Sequence, residues 1–464
     1  MRNKYIAFII SLVMSVTMLT GCTMQNNSVN TENSEAGING APVTLESMMG
    51  QWKKEKTGDT VTCWYTDLDD QRWLAYRALD FEKEYGIKVE LVYYDGAQLF
   101  NDINQADQNG VGPDMYIMGN DRLEFAVTGG MAEENTAFDE AFWQDNYPET
   151  AKRAFNYKGK QYGYPIYFDT YCLVYDANLL TTAPASIDDI LAFLDEYEDT
   201  GSTKAVFRWD VADPYINSMF VASYADIFGE NGDDITSFSI NGEQEVKAME
   251  YFQSLSAYLW MDKTNISHDT VMNRIKEGTL VLGLCKSDIL PVLYEMQGSA
   301  SDTKDSQSVE DQGEADTGEA EDQVETEAEG EEEAETTNYQ VSYVPSLTEE
   351  LSSTCYSTTY GAFINPYGNN IAGGNMFALY LSYEDQERQF AGNGKLPVTN
   401  QKFHFDEMQT VMYAQYQNSK PVPKTMLLGD YLMESGIAFD AIWSGADAKE
   451  ELDKLQTVME EKMN

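Results

Sequence analysis

Histidine is almost missing from this chain of 464 residues: His268 and His404 are its only imidazoles. That leaves no material for a histidine-based triad or a His-rich metal centre. Basic residues are scarce too, 30 Lys and Arg against 78 Asp and Glu, for a formal charge of −48. A nucleic-acid binder needs a basic stripe to neutralise phosphates, so nucleic acid is excluded as a partner, and acidic lipid headgroups repel a polyanion. The five cysteines, Cys22, Cys63, Cys172, Cys285 and Cys355, stand far apart with no C-x-x-C spacing. Neither a zinc site nor a dithiol redox motif is suggested, and no metal or cofactor is expected. Beyond Met18 no apolar run approaches the ~18 residues that span a bilayer, and no internal repeat of fixed period is evident.

The hydrophobic share is 42% and the aromatic share 12%, as in folded proteins with a large core, and the length suits two or three domains. Arg2 and Lys4 precede an uncharged apolar run over residues 6–18, followed by Leu19-Thr20-Gly21-Cys22. A positive start, a short apolar stretch and small residues is the order of an export signal. Leu-x-Gly-Cys resembles the bacterial lipobox, which implies a signal over residues 1–21 and acyl chains on Cys22 that leash the mature protein to the membrane. The alternative is an ordinary secretory signal with a coincidental cysteine. Residues 22–57, rich in Asn, Ser, Glu and Gly, read as a flexible tether, although 44–56 could form a short helix. Residues 299–338 are almost only Asp, Glu, Ser, Thr, Gln, Gly and Ala. They cannot bury enough apolar surface to offset their ordering entropy and read as a disordered acidic insertion, without the spaced ligand pattern of a calcium loop.

Residues 60–65 read as a strand. Trp73, Leu74, Ala78, Leu79 and Phe81 then recur at helical spacing up to Gly86, and residues 87–93 alternate as a second strand. Another helix and a third strand over 114–118 follow. This alternation marks an α/β fold with a parallel sheet and helical crossovers, where ligands bind at the carboxyl ends of strands. Residues 65–71 and 119–124 are therefore the loops of interest, both polar and carboxylate-bearing. Residues 157–165 read as a hairpin turn leading into one strand that runs through Tyr175. Ser186 and Asp189 form a capping box for a helix to Tyr197, and Asp213-Pro214 is an N-cap followed by proline at the first helical position. Strands over 205–209, 279–284 and 339–344, helices over 242–259 and 268–276, and a helical tail from Phe405 complete at least two α/β units. Cys63, Cys172 and Cys285 lie in apolar strand-like runs, where a thiol behaves as a small core hydrophobe.

Several stretches, in order, carry a resemblance. Gly112-Pro113-Asp114-Met115-Tyr116-Ile117-Met118-Gly119-Asn120-Asp121-Arg122, continuing through Gly129-Gly130-Met131-Ala132-Glu133, is similar to the extracellular solute-binding proteins of sugar ABC importers, family 1, above all to maltose and maltodextrin binders. Phe81-Glu82-Lys83-Glu84-Tyr85-Gly86-Ile87-Lys88-Val89, residues 157–165, Asp213-Pro214-Tyr215 and Gly394-Lys395-Leu396-Pro397-Val398 have the same look. The resemblance implies a two-lobe, periplasmic-binding-protein-like fold whose hinged interlobe cleft closes on sugar. Mapped here, the N-terminal lobe is 58–168 with 361–402 and the C-terminal lobe is 169–360 with 403–464.

A saccharide presents hydroxyls on its edges and apolar C–H patches on its faces. Asp accepts from hydroxyls, Arg donates in a fixed fork, and aromatic rings cover the faces. The resemblance puts Asp121 and Arg122 on ligand hydroxyls, where a surface salt bridge is the blander alternative. Asp169 falls where the family carries a hinge-side acid. Asp213 and Tyr215 match a sugar-binding acid and a stacking ring, though Asp213 equally serves as the helix cap. Tyr65, Asp67 and Asp69 occupy the first strand's loop, where the family places polar contacts. Tyr431 is near a C-terminal stacking aromatic yet suits the core of its own helix, and Trp209, like Trp443, either stacks or packs. One departure stands out: after the strand at 279–284 the family usually has Gly-Pro-Trp, and this chain has Lys286-Ser287-Asp288. A stacking indole is lost and charges are gained, which implies another or a more polar oligosaccharide.

The expected function is capture of an oligosaccharide by lobe closure and delivery, unaltered, to a membrane permease. The protein is expected to be a monomeric non-enzyme held by lipid on the extracellular face of a bacterial cell membrane. Two readings compete. A cell-surface glycosidase needs two carboxylates at a set separation across its ligand; the other rival binds a non-sugar solute, such as a polyamine or peptide, on the same fold.

Overall fold

The computed structural model describes residues 44–197, 204–307, 337–384, 389–399 and 403–464. The export signal, Cys22 and most of the acidic insertion lie outside these residues. The strands that build two sheets are β1 (Thr60–Tyr65), β2 (Lys88–Tyr93), β3 (Met115–Gly119), β4 (Tyr164–Asp169), β5 (Tyr171–Asp176), β6 (Ala205–Arg208), β7 (Leu280–Lys286), β8 (Tyr339–Ser342), β9 (Tyr356–Ile364) and β10 (Lys420–Pro421).

In the first sheet β1 lies between β2 and β3 and runs parallel to both, with Thr60 opposite Lys88 and Cys63 opposite Met115. The crossover helices are Asp70–Tyr85 and Leu99–Gln108; the first turns Trp73, Leu74, Ala78 and Phe81 inward, as their spacing predicts, but Leu79 lies off that stripe and is exposed, and the helix ends on Gly86 at φ 70°. β9 runs antiparallel to β3 and β4, and β10 pairs beside it. The second sheet has the order β8–β5–β7–β6. Behind it Phe207, Trp209, Phe220, Phe252 and Trp443 form the second lobe's core. The hairpin turn at Lys158 and Gly159 has φ of 48° and 82°, the doubly positive pair of a type I′ turn, which glycine adopts at no steric cost.

The chain crosses between sheets where the sequence predicts a single strand. β4 and β5 are separated by Thr170 alone, and each belongs to a different sheet. Thr170 Oγ1 donates to the carbonyl of Tyr356 at 3.2 Å, and Tyr356 opens β9, which crosses back. The two crossings are thus tied together. Both strands are almost wholly buried, so their sequence reads as one apolar run without a seam.

Two expectations about flexible segments are corrected. The tether does not extend to residue 57, because Leu45–Glu55 is a helix with a Thr44–Ser47 capping box. Met48 and Met49 are buried in the first core, and Thr57 N–H donates to Asn370 Oδ1 at 3.3 Å. The acidic insertion does not begin at 299 either: the helix Ile289–Gln307 runs on through it, and 308–336 lie outside the described residues. Cys63, Cys172, Cys285 and Cys355 are free, buried thiols. Among the described residues no helix is long and apolar enough to cross a membrane.

Candidate functional site

Two cavities open between the lobes, of about 360 and 480 Å³, both within the usual range of small-molecule sites, about 300–1,000 Å³. The first takes Asp67 and Asp69 from the loop after β1, Asn393, Gly394 and Lys395 from the same lobe, Tyr167, Phe168 and Asp169 from β4, Tyr360 from β9, and Lys286, Ser287, Asp288 and Pro291 from the end of β7 and the next helix. Gly394 sits at φ 73°, and a Cβ there would come 2.7 Å from Pro291 Cγ. Only glycine lets these two segments approach so closely.

Lys395 is the hub of this cavity. Its ammonium lies 2.5 Å from Asp67 Oδ2 and 2.9 Å from Asp70 Oδ1, and 4.5 Å from the centre of the Tyr167 ring. Asp70 is fully buried at the start of its helix, and also accepts from Tyr167 OH at 2.5 Å and from Asn393 Nδ2 at 3.1 Å. Burial alone pulls the Lys395 ammonium down, but Asp70 and Asp67 together outweigh it and hold the group above its ordinary range. Tyr167 in turn stacks on Tyr360, with centroids 4.9 Å apart and planes 24° apart. At the other wall Asp169 Oδ1 accepts from Ser287 N–H at 3.2 Å and Ser287 Oγ at 2.5 Å. Burial, helped by the nearby Asp288, pushes the Asp169 carboxyl up against the pull of Ser287 and Lys286. Asp288 lies 3.0 Å from His268 Nε2.

The second cavity is bounded by Asp121, Arg122, Phe100 and Phe125 on one side and by Met426, Leu428 and Leu432 on the other. Asp121 and Arg122 sit on a single 3-10 turn, Asn120–Arg122, straight after β3. Burial raises the Asp121 carboxyl although Arg122 lowers it. The Arg122 guanidinium donates to the Gly96 carbonyl, so part of its fork is already occupied. Phe100 and Phe125 stack at 5.9 Å with an 11° interplanar angle.

The expected site residues divide accordingly. Asp67, Asp69 and Asp169 share the first cavity, and Asp121 and Arg122 line the second. Tyr215 is half-buried, its hydroxyl 3.1 Å from Thr358 Oγ1. Asp213 takes the capping alternative: Oδ1 accepts from Tyr215 N–H at 2.8 Å and Oδ2 from Tyr171 OH at 3.0 Å. Three rings belong to the core instead. Tyr65 is 3% exposed and meets Tyr93 edge-on, on the same strand face as buried Cys63. Trp209 is fully buried, with Nε1 donating to Asn217 Oδ1 at 2.9 Å. Tyr431 is fully buried among Phe228 and Phe238. Sequence reasoning missed Lys395, Tyr167 and Tyr360 in the first cavity and Phe100, Phe125, Met426, Leu428 and Leu432 in the second. Lys395 stands inside the Gly394–Val398 motif, but no local signal marks it as the partner of Asp70.

Residues 77–310 match the family model described as bacterial extracellular solute-binding protein. A maltooligosaccharide ABC transporter solute-binding lipoprotein of Streptococcus pneumoniae is 21% identical over 417 residues, covering 86% of this chain and 87% of its own. The maltotriose-binding protein of Pyrococcus abyssi is 26% identical over 144 residues, a match spanning only 30% of either chain. Among solved structures, the extracellular solute-binding protein of Staphylococcus aureus in complex with maltose superposes with a TM-score of 0.69 at 18% identity, covering 88% of this chain and 98% of that one.

Proposed function

We propose, from the premise that this chain belongs to the bacterial extracellular solute-binding proteins, that it captures an oligosaccharide between its lobes and hands it to the permease of an ABC importer. The observation that carries this reading is the first cavity, where acids and tyrosines from both lobes and both crossing strands converge. Carboxylates there are acceptors for sugar hydroxyls, and the rings offer apolar area to sugar faces. The lobes follow the expected division, except that the helix Leu45–Glu55, Asp169 and β9 go with the first, so the first is 45–169 with 356–402 and the second 171–355 with 403–464, turning about the tied crossings at Thr170 and Tyr356. Ligand contacts made by both lobes at once are complete only in the closed form, so binding shifts the population toward closure. No bond is broken in this cycle. The protein acts as a monomer, leashed by lipid on Cys22 to the extracellular face of the cell membrane.

The test is a titration of intrinsic tryptophan fluorescence with gluco-, xylo-, manno- and galacto-oligosaccharides, alongside melting curves. A Kd of about 1 μM or below is expected for at least one series. If no saccharide moves either signal while a polyamine or peptide does, oligosaccharide capture is wrong.

A further inference from the structure

Tyr167 on the wall of the first cavity, and Tyr171 and Tyr215 outside it, spend their hydroxyls on the protein. Tyr167 donates to Asp70 at 2.5 Å, Tyr171 donates to Asp213 at 3.0 Å, and Tyr215 shares a hydrogen bond with Thr358 at 3.1 Å. Tyr360 lines the first cavity, and its hydroxyl has no hydrogen-bond partner among the described residues. Tyr360 is half-buried and its hydroxyl is not among the buried polar atoms left without a partner, so it faces the cavity, where a phenol not engaged by the protein is open to a ligand. One face of its ring is covered by Tyr167, which leaves the other.

Position adds to this. Tyr360 and Thr358 are two residues apart in β9 and so project from the same sheet face. Thr358 borders the second cavity's acid: a Cβ on Gly119 would lie 2.4 Å from Asp121 Oδ1 and 2.9 Å from Thr358 Cγ2. The same face of β9 therefore reaches from Asp169 at one cavity to Asp121 at the other. After burial, the charges of these two acids are the ones that most raise the Tyr360 phenol, followed by Asp67 and Asp70.

Resting on the saccharide reading above, we propose that Tyr360 is a direct ligand contact at the waist between the cavities, and that the ligand is an uncharged saccharide chain long enough to pass it. Its ring takes over part of the stacking that an indole at positions 286–288 would have supplied. In the first cavity Asp67, Asp69, Asp169 and Asp288 outnumber Lys286 and Lys395, and in the second Arg122 only balances Asp121, so the lining as a whole accepts from neutral hydroxyls and disfavours a uronate.

Calorimetry on the full chain with maltose, maltotriose, maltotetraose and trigalacturonate tests this, with xylo- and manno-oligomers in parallel. Affinity should climb with chain length in the series that binds, and trigalacturonate should give no heat. Tyr360→Phe, which keeps the ring and the packing, should weaken the longest bound oligomer about fivefold, the worth of one neutral hydrogen bond. Tyr360→Ala, checked for an intact melting transition, should weaken it by more than Tyr360→Phe does. Wild-type affinity in both variants overturns the role of Tyr360 and leaves saccharide binding standing. Trigalacturonate bound as tightly as the neutral trimer overturns the uncharged class, and affinity that is flat with chain length overturns the passage between cavities. If the wild-type chain binds no saccharide at all, the inference falls together with the reading it rests on.

Discussion

Around Lys395 the cleft is lined by groups already bound to one another; around Asp121 it is lined mostly by carbon. In the first cavity an ammonium, two carboxylates, a phenol and an amide hold each other in place, and Asp169 is held by Ser287. In the second, two stacked phenylalanines face Met426, Leu428 and Leu432, and the single acid–arginine pair sits on one short turn. A pre-bonded wall meets a ligand with little reorganisation and dictates direction through hydrogen bonds. An apolar wall contributes area and tolerates shifts in position. On the proposed saccharide reading, one end of the cleft selects the ligand's hydroxyl pattern while the other accepts length.

Removing the keystone of the bonded end breaks the comparison most sharply. Asp70→Ala leaves Lys395 in a buried network with Asp67 as its only remaining anion, and should cost about 3 kcal/mol of stability, measured by urea unfolding. A cost below the range of ordinary surface substitutions would mean the network is decorative. Next in size is Asp169→Asn, expected to weaken oligosaccharide binding about tenfold, the worth of a hydrogen bond to a charged acceptor. The same change should raise stability at neutral pH. Burial holds the Asp169 carboxyl above its ordinary range, so the folded state keeps that proton more tightly than the unfolded chain does. The wild type therefore loses stability as pH rises from the usual Asp range, ~4, through the raised value, and an amide escapes this. A melting temperature at neutral pH lower than that of the wild type would contradict it. The smallest effect belongs to the carbon-lined end: Phe125 is 44% exposed and stacked on Phe100, and Phe125→Ser should cost only about 1 kcal/mol of stability, the worth of one aromatic pair. Calorimetry should still find binding of long oligomers weakened more than that of short ones, and an equal loss for all lengths would erase the distinction between the ends.

Much of this was legible from residue order, and the misses have definite causes. Helical spacing in residues 73–81 and alternation in 87–93 produced the expected crossover helix and parallel strands, because those patterns reflect one buried face each. Acids at strand ends were found for the same reason: Asp67, Asp69 and Asp121 follow strands whose direction was already known. The seam at Thr170 escaped because a strand buried on both faces has no alternation to break. Tyr65 was misplaced although a signal existed, since period two puts it on the face of Cys63 and Val61. Trp209 and Tyr431 carried no such signal, as a ring that covers sugar and a ring that fills a core look alike in composition.

Local order by itself determined the element types, the α/β class, the acidic surface and the loops that end at the cleft, because backbone preference and amphipathic period are set by near neighbours. The meeting of Lys395 with Asp70, 325 positions away in the chain, was decided only by packing. So was the choice of Tyr167 and Tyr360, rather than Tyr65 or Tyr431, as rings on the cavity wall. Contacts of that kind depend on which faces two lobes turn toward each other, a property that no stretch of sequence holds alone.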